Sequence, residues 1–241
     1  MTFPIPPSLS RLFRHWSGVL VLAGLLPAFH ANLAMAQDDA EFQNWVQQFK
    51  LQAESQGISK TTLEQAFANV HLNEKVLELD RRQPEFTRTF WQYFQTAVTE
   101  WRIKRAKRLY DTHRKLLDKV TKQYGVPGRF LVAFWGMETN FGGYTGNIPI
   151  IESLATLAYD PRRSGFFSKE LMEALKILDQ GNISLKDMKG SWAGAMGQCQ
   201  FMPSNYMRYA VDGDGDGKKD LWNSLEDVFF SAGHFLAELG W

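Results

Sequence analysis

The chain has 241 residues, enough for one or two domains with a real core. It is 44% hydrophobic and 14% aromatic, which excludes a disordered chain and supplies rings for a core or for stacking on sugars. The formal net charge of +1 is too even to give the electrostatic footprint of a nucleic-acid binder.

Residues 1–36 read as a signal peptide. Arg11, Arg14 and His15 form a basic start, Val19 to Leu26 an apolar stretch, and Ala34-Met35-Ala36 an A-x-A cleavage signal. The apolar stretch is short for a membrane span. Cleavage after Ala36 leaves a chain starting at Gln37 in the periplasm, with no cysteine at the cut to take a lipid anchor. The only cysteine is Cys199, so an exported chain has no internal disulfide. Free cysteines are mostly buried, and no histidine is placed in sequence to activate this one; it reads as a small core residue.

From 41 to 122 the pattern is helical. Phe42, Trp45, Val46 and Phe49 recur at helical spacing up to Gly57, and Ser59 opens a second helix through Leu63, Ala66 and Phe67. A polar strip from Arg81 to Phe86 precedes one long helix, from Phe86 or Thr87 to Tyr124. Phe90, Trp91, Tyr93 and Phe94 are assigned to the core. The basic run Arg102, Lys104, Arg105, Lys107 and Arg108 reads as a solvated helix face.

Pro127 suits a first helical position, where its missing N–H costs nothing. The following helix is buried through Phe130, Leu131, Ala133, Phe134, Trp135 and Met137, and Gly142-Gly143 stops it. Glu138 then lies at the negative end of a helix dipole among Phe134, Trp135 and Phe141, and both effects raise a carboxylate pKa. An acid still protonated near neutral pH can give its proton to a glycosidic oxygen. A lone glutamate at a helix end is ordinarily a solvated surface residue. The block GSWAGAMGQCQFMPSNY at 190–206 argues for the functional reading. Between the two, GGYTGNIPI is a loop, a helix starts near Ile151 and ends before Asp160-Pro161, and Arg162 and Arg163 sit in the break. Phe166 to Asp179 is amphipathic and closed by Gly181. No substantial sheet is expected.

Asp212, Asp214 and Asp216 occupy positions 1, 3 and 5 of an EF-hand-like loop, with Gly217 at 6 and the Lys218 carbonyl at 7. Position 12 is Asn223 instead of a bidentate glutamate. Glu226 and Asp227 follow three and four residues later, and a longer loop ending on either would close the shell. Three aspartates this close repel unless a cation sits among them; the alternative is an Asp/Gly turn without metal.

Four blocks together resemble the membrane-bound lytic murein transglycosylase B family of peptidoglycan-cleaving enzymes. They are WGMETNFG at 135–142, YDPRRSGFF at 159–167, GSWAGAMGQCQFMPSNY at 190–206 and DGDGDGKKDLWNSLEDV at 212–228, and the resemblance runs from about Phe42 to Trp241. It implies a mainly α fold, with a lysozyme-like helical core over 125–241, an added helical domain over 37–124 and an EF-hand-like calcium loop. It implies cleavage of the β-1,4 bond between N-acetylmuramic acid and N-acetylglucosamine, leaving 1,6-anhydromuramoyl ends. Glu138 falls on the catalytic acid and Ser191 on a residue touching the substrate's N-acetyl region. Gln200, Arg162 and Arg163 fall on cleft positions that hold glycan and peptide, and Phe166, Met196 and Asn140 complete the substrate-binding set. Asp212, Asp214, Asp216, Lys218 and Glu226 fall on the structural Ca2+ site, with no organic cofactor. The implied partners are peptidoglycan glycan strands and other cell-wall enzymes, with no nucleic acid and no lipid anchor.

The chain departs from the family at Gly233-His234, where relatives often carry Asn-Tyr, and at Phe166, where they often carry Tyr. Relatives also continue beyond Gly240-Trp241. The helix at 225–239 is therefore expected to leave Val228, Phe229, Phe235 and Leu236 on an uncovered apolar face. An ordinary glycosidase needs two carboxylates, and no convincing second one stands near Glu138 in sequence. A transglycosylase needs one. A hydrolytic muramidase on the same scaffold and a non-catalytic peptidoglycan-binding scaffold remain alternatives.

Overall fold

The computed structural model describes the backbone of residues 26–82 and 88–241, with side chains from residue 39 onward. The basic start of the expected leader and its apolar stretch up to Leu25 lie outside the described residues, as do Gln83 to Phe86 of the polar strip; at the expected cleavage signal only helical backbone is described. Two compact units divide the chain, Met1–Glu41 and Phe42–Trp241. Of the first, little beyond the helical backbone from Leu26 is described. No helix among the described residues is long and apolar enough to cross a membrane.

The second unit is helical. α1 (Leu26–Ser55) buries Phe42, Val46 and Phe49 and ends before Gly57, whose φ of 94° suits glycine. α2 (Lys60–Phe67) is capped by Ser59, whose side chain accepts from the Thr62 amide, and it buries Leu63, Ala66 and Phe67. α3 (Glu74–Arg81), capped by Asn73, has no counterpart in the pattern reading.

The expected long helix up to Tyr124 is three helices: α4 (Phe90–Ala97), α5 (Glu100–Thr112) and α6 (Arg114–Tyr124). Thr89 and Thr99 cap the first two. Their side chains accept from the Gln92 and Arg102 amides, so each offers the backbone a start point that a hydrophobic count cannot see. The assignment of the α4 aromatics to the core is also corrected. Phe90 and Trp91 are each 67% exposed, and Tyr93 and Phe94 are exposed beside them. These rings pack on one another, Phe90 on Trp91 at 5.2 Å and on Phe94 at 5.9 Å.

α7 (Gly128–Thr139) follows Pro127, which is its N-cap. The helix does not wait for the glycine pair. It stops at Asn140, in the left-handed region at φ 52°, and Phe141 follows at φ 61°. β1 (Ile148–Pro149) pairs antiparallel with β2 (Lys189–Gly190), in the register Ile148 with Gly190. Between them run α8 (Ile150–Tyr159) and α9 (Ser164–Asp179), which pack closely on each other. α10 (Pro203–Tyr209) and α11 (Leu225–Glu238) complete the unit.

The core is continuous from Phe42 to Ala232. α11 is covered, contrary to the sequence expectation. It packs on α6, α7 and α10. Val228 and Phe229 are fully buried, and Phe235 meets Phe201 at 5.0 Å and Tyr209 at 5.2 Å. His234 lies beside Tyr124 at 5.6 Å, with Nδ1 3.0 Å from the Tyr209 carbonyl.

Candidate active site

Glu138 occupies the last turn of α7. Its side chain is reached by solvent, yet the protein around the carboxyl desolvates it and raises its pKa above the ordinary 4.5. Desolvation is the cause that acts here. The carboxylate lies near enough to Cys199 to add to the upward shift of that thiol, whose main cause is burial. Cys199 is buried with Sγ 3.3 Å from the Val228 carbonyl, which bears out its reading as a core residue.

The end of α7 is tied to the 190–206 block by hydrogen bonds that the sequence did not announce. The Trp135 indole Nε1 donates to Gln198 Oε1 at 2.7 Å. The Thr139 hydroxyl donates to the Gln198 carbonyl at 3.1 Å and accepts from the Gly142 amide at 3.1 Å. Gln198 Nε2 donates onward to the Trp222 carbonyl at 2.8 Å. One buried amide thus fixes a helix end, a turn and a third segment. Only the density of Gly and Gln in GAMGQCQF hinted at such a knot.

The loop after Glu138 is pressed against the same block. A Cβ on Gly146 would fall 2.0 Å from the Gly190 carbonyl oxygen, and one on Gly190 would fall 2.1 Å from the Ala195 carbonyl oxygen, so both positions require glycine. Gln200, with φ 49°, donates to the Thr145 carbonyl at 3.1 Å and to the Gly197 carbonyl at 2.9 Å. Ser191 is half-buried, and its Oγ accepts from the Ala195 amide at 3.0 Å and the Ala193 amide at 3.3 Å. Glu138, Asn140, Ser191 and Gln200 therefore border one set of interlocked segments.

The other expected site residues are placed differently. Met196 is 0% exposed and belongs to the core beneath the block. Arg162 and Arg163 stand in the turn between α8 and α9. The 190–194 segment meets α8 at Ile150, Ser153 and Leu154, whereas the two arginines follow the far end of that helix. Phe166 is exposed in the first turn of α9.

In the aspartate loop three carboxylates come together. One oxygen each from Asp212, Asp214 and Asp227 can be chosen so that all lie within 4.8 Å of one another. That span fits oxygen ligands around one calcium at roughly 2.3–2.6 Å. Asp227 is fully buried, and Glu226 is exposed and outside the cluster. Asp227 Oδ1 accepts from the Gly213 amide at 2.7 Å and Oδ2 from the Asp220 amide at 2.6 Å. Burial pushes its pKa up against those bonds, which pull it down. Asp216 and Lys218 are exposed, and Asp216 Oδ1 accepts from the Lys218 amide at 2.8 Å. An all-oxygen donor set with one buried carboxylate is the chemistry that a hard cation takes.

Residues 41–241 match the protein family described as Transglycosylase SLT domain. The chain belongs to that family. Its fold is accordingly the lysozyme-like one of these transglycosylases, mainly helical. It is similar to membrane-bound lytic murein transglycosylase B of Escherichia coli (strain K12), at 31% identity over 227 residues, covering 90% of this chain and 63% of that protein. Among solved structures it is similar to SltB3 from Pseudomonas aeruginosa in complex with NAG-anhNAM-pentapeptide, at 44% identity and a TM-score of 0.80, covering 83% of this chain and 53% of that one. It is also similar to the Escherichia coli lytic transglycosylase SLT35 in complex with calcium, at 32% identity and a TM-score of 0.73, covering 81% of this chain and 63% of that one. The chain thus spans between half and two thirds of the length of these relatives.

Proposed function

We propose that this chain is a peptidoglycan lytic transglycosylase of the periplasm that uses Glu138 alone as acid and then as base. Glu138 protonates the glycosidic oxygen between N-acetylmuramic acid and N-acetylglucosamine. The substrate's own N-acetyl oxygen stabilises the cationic C1. Glu138, now ionised, takes the proton of the C6 hydroxyl, which attacks C1 of the same sugar and closes the 1,6-anhydro ring. The tethered hydroxyl has the proximity advantage of an intramolecular nucleophile.

The observation that carries this reading is a partly desolvated carboxyl with a raised pKa in the last turn of α7, a turn tied to the 190–206 block through Trp135 and Thr139. Candidate second carboxylates are engaged elsewhere. Glu152 accepts from Asn73 Nδ2 at 2.6 Å, and the buried Glu170 accepts from the Ser204 hydroxyl and amide at 2.7 and 2.9 Å. Ser191, Gln200 and Asn140 border the acid, and Phe166, Arg162 and Arg163 extend the substrate surface along α8. The substrate is a glycan strand with peptide stems, in line with the relative bound to NAG-anhNAM-pentapeptide. Asp212, Asp214 and Asp227 would hold a calcium ion, in a structural role.

Mass spectrometry of digested cell wall tests the activity. Anhydromuramoyl ends support it. Reducing ends would make the chain a hydrolase, and intact wall would leave it a binding scaffold.

A further inference from the structure

Asp220 belongs to none of the segments that carry Glu138, Ser191 or Gln200. It stands in the turn between the aspartate loop and α11, and its carboxylate is bent back on its own chain. Oδ1 accepts from the Trp222 amide and from the Asn223 amide, each at 2.9 Å. The Asp220 amide in turn donates to Asp227 Oδ2 at 2.6 Å. A side-chain oxygen that closes a turn in this way fixes the direction of the peptide units inside it. Both of the carbonyls it orients face Gln198. The Leu221 carbonyl accepts from the Gln198 amide at 2.7 Å, and the Trp222 carbonyl accepts from Gln198 Nε2 at 2.8 Å. Trp222 Nε1 anchors the turn a second time, donating to the Lys189 carbonyl at 2.9 Å. A Cβ on Gly197 would fall 2.6 Å from the Leu221 carbonyl oxygen, so the two segments meet without slack.

Gln198 has one orientation open to it. An indole N–H only donates and a peptide carbonyl only accepts, so Oε1 must face Trp135 and Nε2 must face Trp222. If the Trp222 carbonyl swung away, a buried donor would be left unpaired and the amide would be free to rotate. Trp135 would then lose its acceptor, and the Gln198 carbonyl that takes the Thr139 hydroxyl would loosen with it. Trp135 and Thr139 stand on either side of Glu138 in the sequence of α7. The route from Asp220 to the acid is an unbroken run of hydrogen bonds and peptide units, with one orientation-locked side chain at its centre.

We propose that Asp220 is a positioning residue for Glu138: the turn it shapes sets the Gln198 amide, and that amide holds the last turn of α7 in place. The inference rests on Glu138 as the acid of the proposed reaction and deepens it. It gives the segment between the aspartate loop and α11 a part in holding that acid.

The test titrates the Glu138 carboxyl carbon by NMR in the full chain, its resonance assigned by its absence from Glu138→Gln. Burial is what raises this pKa, so a last turn that frays hydrates the carboxyl and lets the value fall. In Asp220→Ala the pKa is expected to drop towards the ordinary 4.5. Wall lysis should drop about tenfold, in kcat and not in KM, the cost of one buried hydrogen bond left unmade. Asp220→Asn keeps an oxygen at Oδ1 and should hold both at the wild-type level. Gln198→Leu should lower the pKa as far as Asp220→Ala, and the two together no further, because the link is already gone. If Asp220→Ala does not fold by circular dichroism, Asp220→Ser, whose hydroxyl closes such a turn more weakly, is read in its place. An unmoved pKa in the folded variant, a shift that Asp220→Asn shares, or shifts that add in the double variant overturn the proposal. The titration does not depend on turnover. Wild-type chain that shows the raised pKa but cuts no wall refutes the transglycosylase reading and leaves the Asp220 result standing.

Discussion

Glu138→Gln separates chemistry from fold. The amide keeps the shape of the side chain but has no proton to give and no charge with which to take one. General acid–base catalysis is worth roughly 10²–10⁴ in rate, or about 3–5 kcal/mol of barrier, and one group acting in both steps puts the loss at the upper end. Stability should move the other way. Below about pH 4.5, the ordinary value for this carboxyl, folded and unfolded chains both hold the proton and pay nothing. Above it the unfolded chain ionises freely, while the folded chain must ionise a desolvated group, so wild-type stability falls as pH rises through the raised folded pKa. The glutamine variant escapes that penalty. Its Tm should equal the wild type at pH 4 and exceed it at pH 7, by a margin kept small because the side chain reaches solvent. Loss of turbidity of purified cell wall and differential scanning calorimetry read the two effects. Near-normal lysis, or a Tm at pH 7 below that of the wild type, refutes the assignment of Glu138 as a desolvated acid.

Three further outcomes follow from named contacts. Calcium should raise Tm in a manner reversed by EDTA; Asp227→Asn should abolish the rise and Glu226→Gln should leave it, with calorimetric titration of calcium as the check. Gln198→Leu strands the buried Trp135 indole N–H and the Trp222 carbonyl, and should cost about 1–3 kcal/mol in urea unfolding while lowering wall lysis through the displaced end of α7. Gly190→Ala places a methyl group 2.1 Å from the Ala195 carbonyl oxygen, so it should yield insoluble or unfolded protein by circular dichroism.

The acid was legible because its signal is local: an apolar helix, a single carboxylate and a turn, all within a dozen residues. The helix start at Ser59 and the stop at Gly57 were legible for the same reason. The three-way division of the segment before Tyr124 was not, since it turns on Thr89 and Thr99 spending their hydroxyls as caps, and threonine is equally common where it does no such thing. The exposure of Phe90 and Trp91 was hidden by the rule that rings go inside. That rule is statistical, and α4 packs little of itself on other elements. The pairing of Arg162 and Arg163 with Asp80 of α3 was invisible in kind. Nothing in a sequence announces that a carboxylate eighty residues away will sit between two arginines.

The manner in which α7 ends bears on why Glu138 can work. Asn140 and Phe141 both carry positive φ without being glycine, and Gln200 across from them does the same. Each such residue costs of order 1–3 kcal/mol, and such costs persist only where surrounding structure over-determines the backbone. Here the determinants are visible. Thr139 and Gln198 pin the turn from one side, the Phe141 ring packs edge-on against Trp135 at 5.6 Å, and the approach of Gly146 to the Gly190 carbonyl fixes the loop on the other. A glutamate on an ordinary frayed helix end would hydrate itself and keep its usual pKa. Holding the helix to its last turn keeps the carboxyl beside the protein that desolvates it. The strain at 140–141 is what a pre-organised acid costs, and it lies within three residues of the group that benefits.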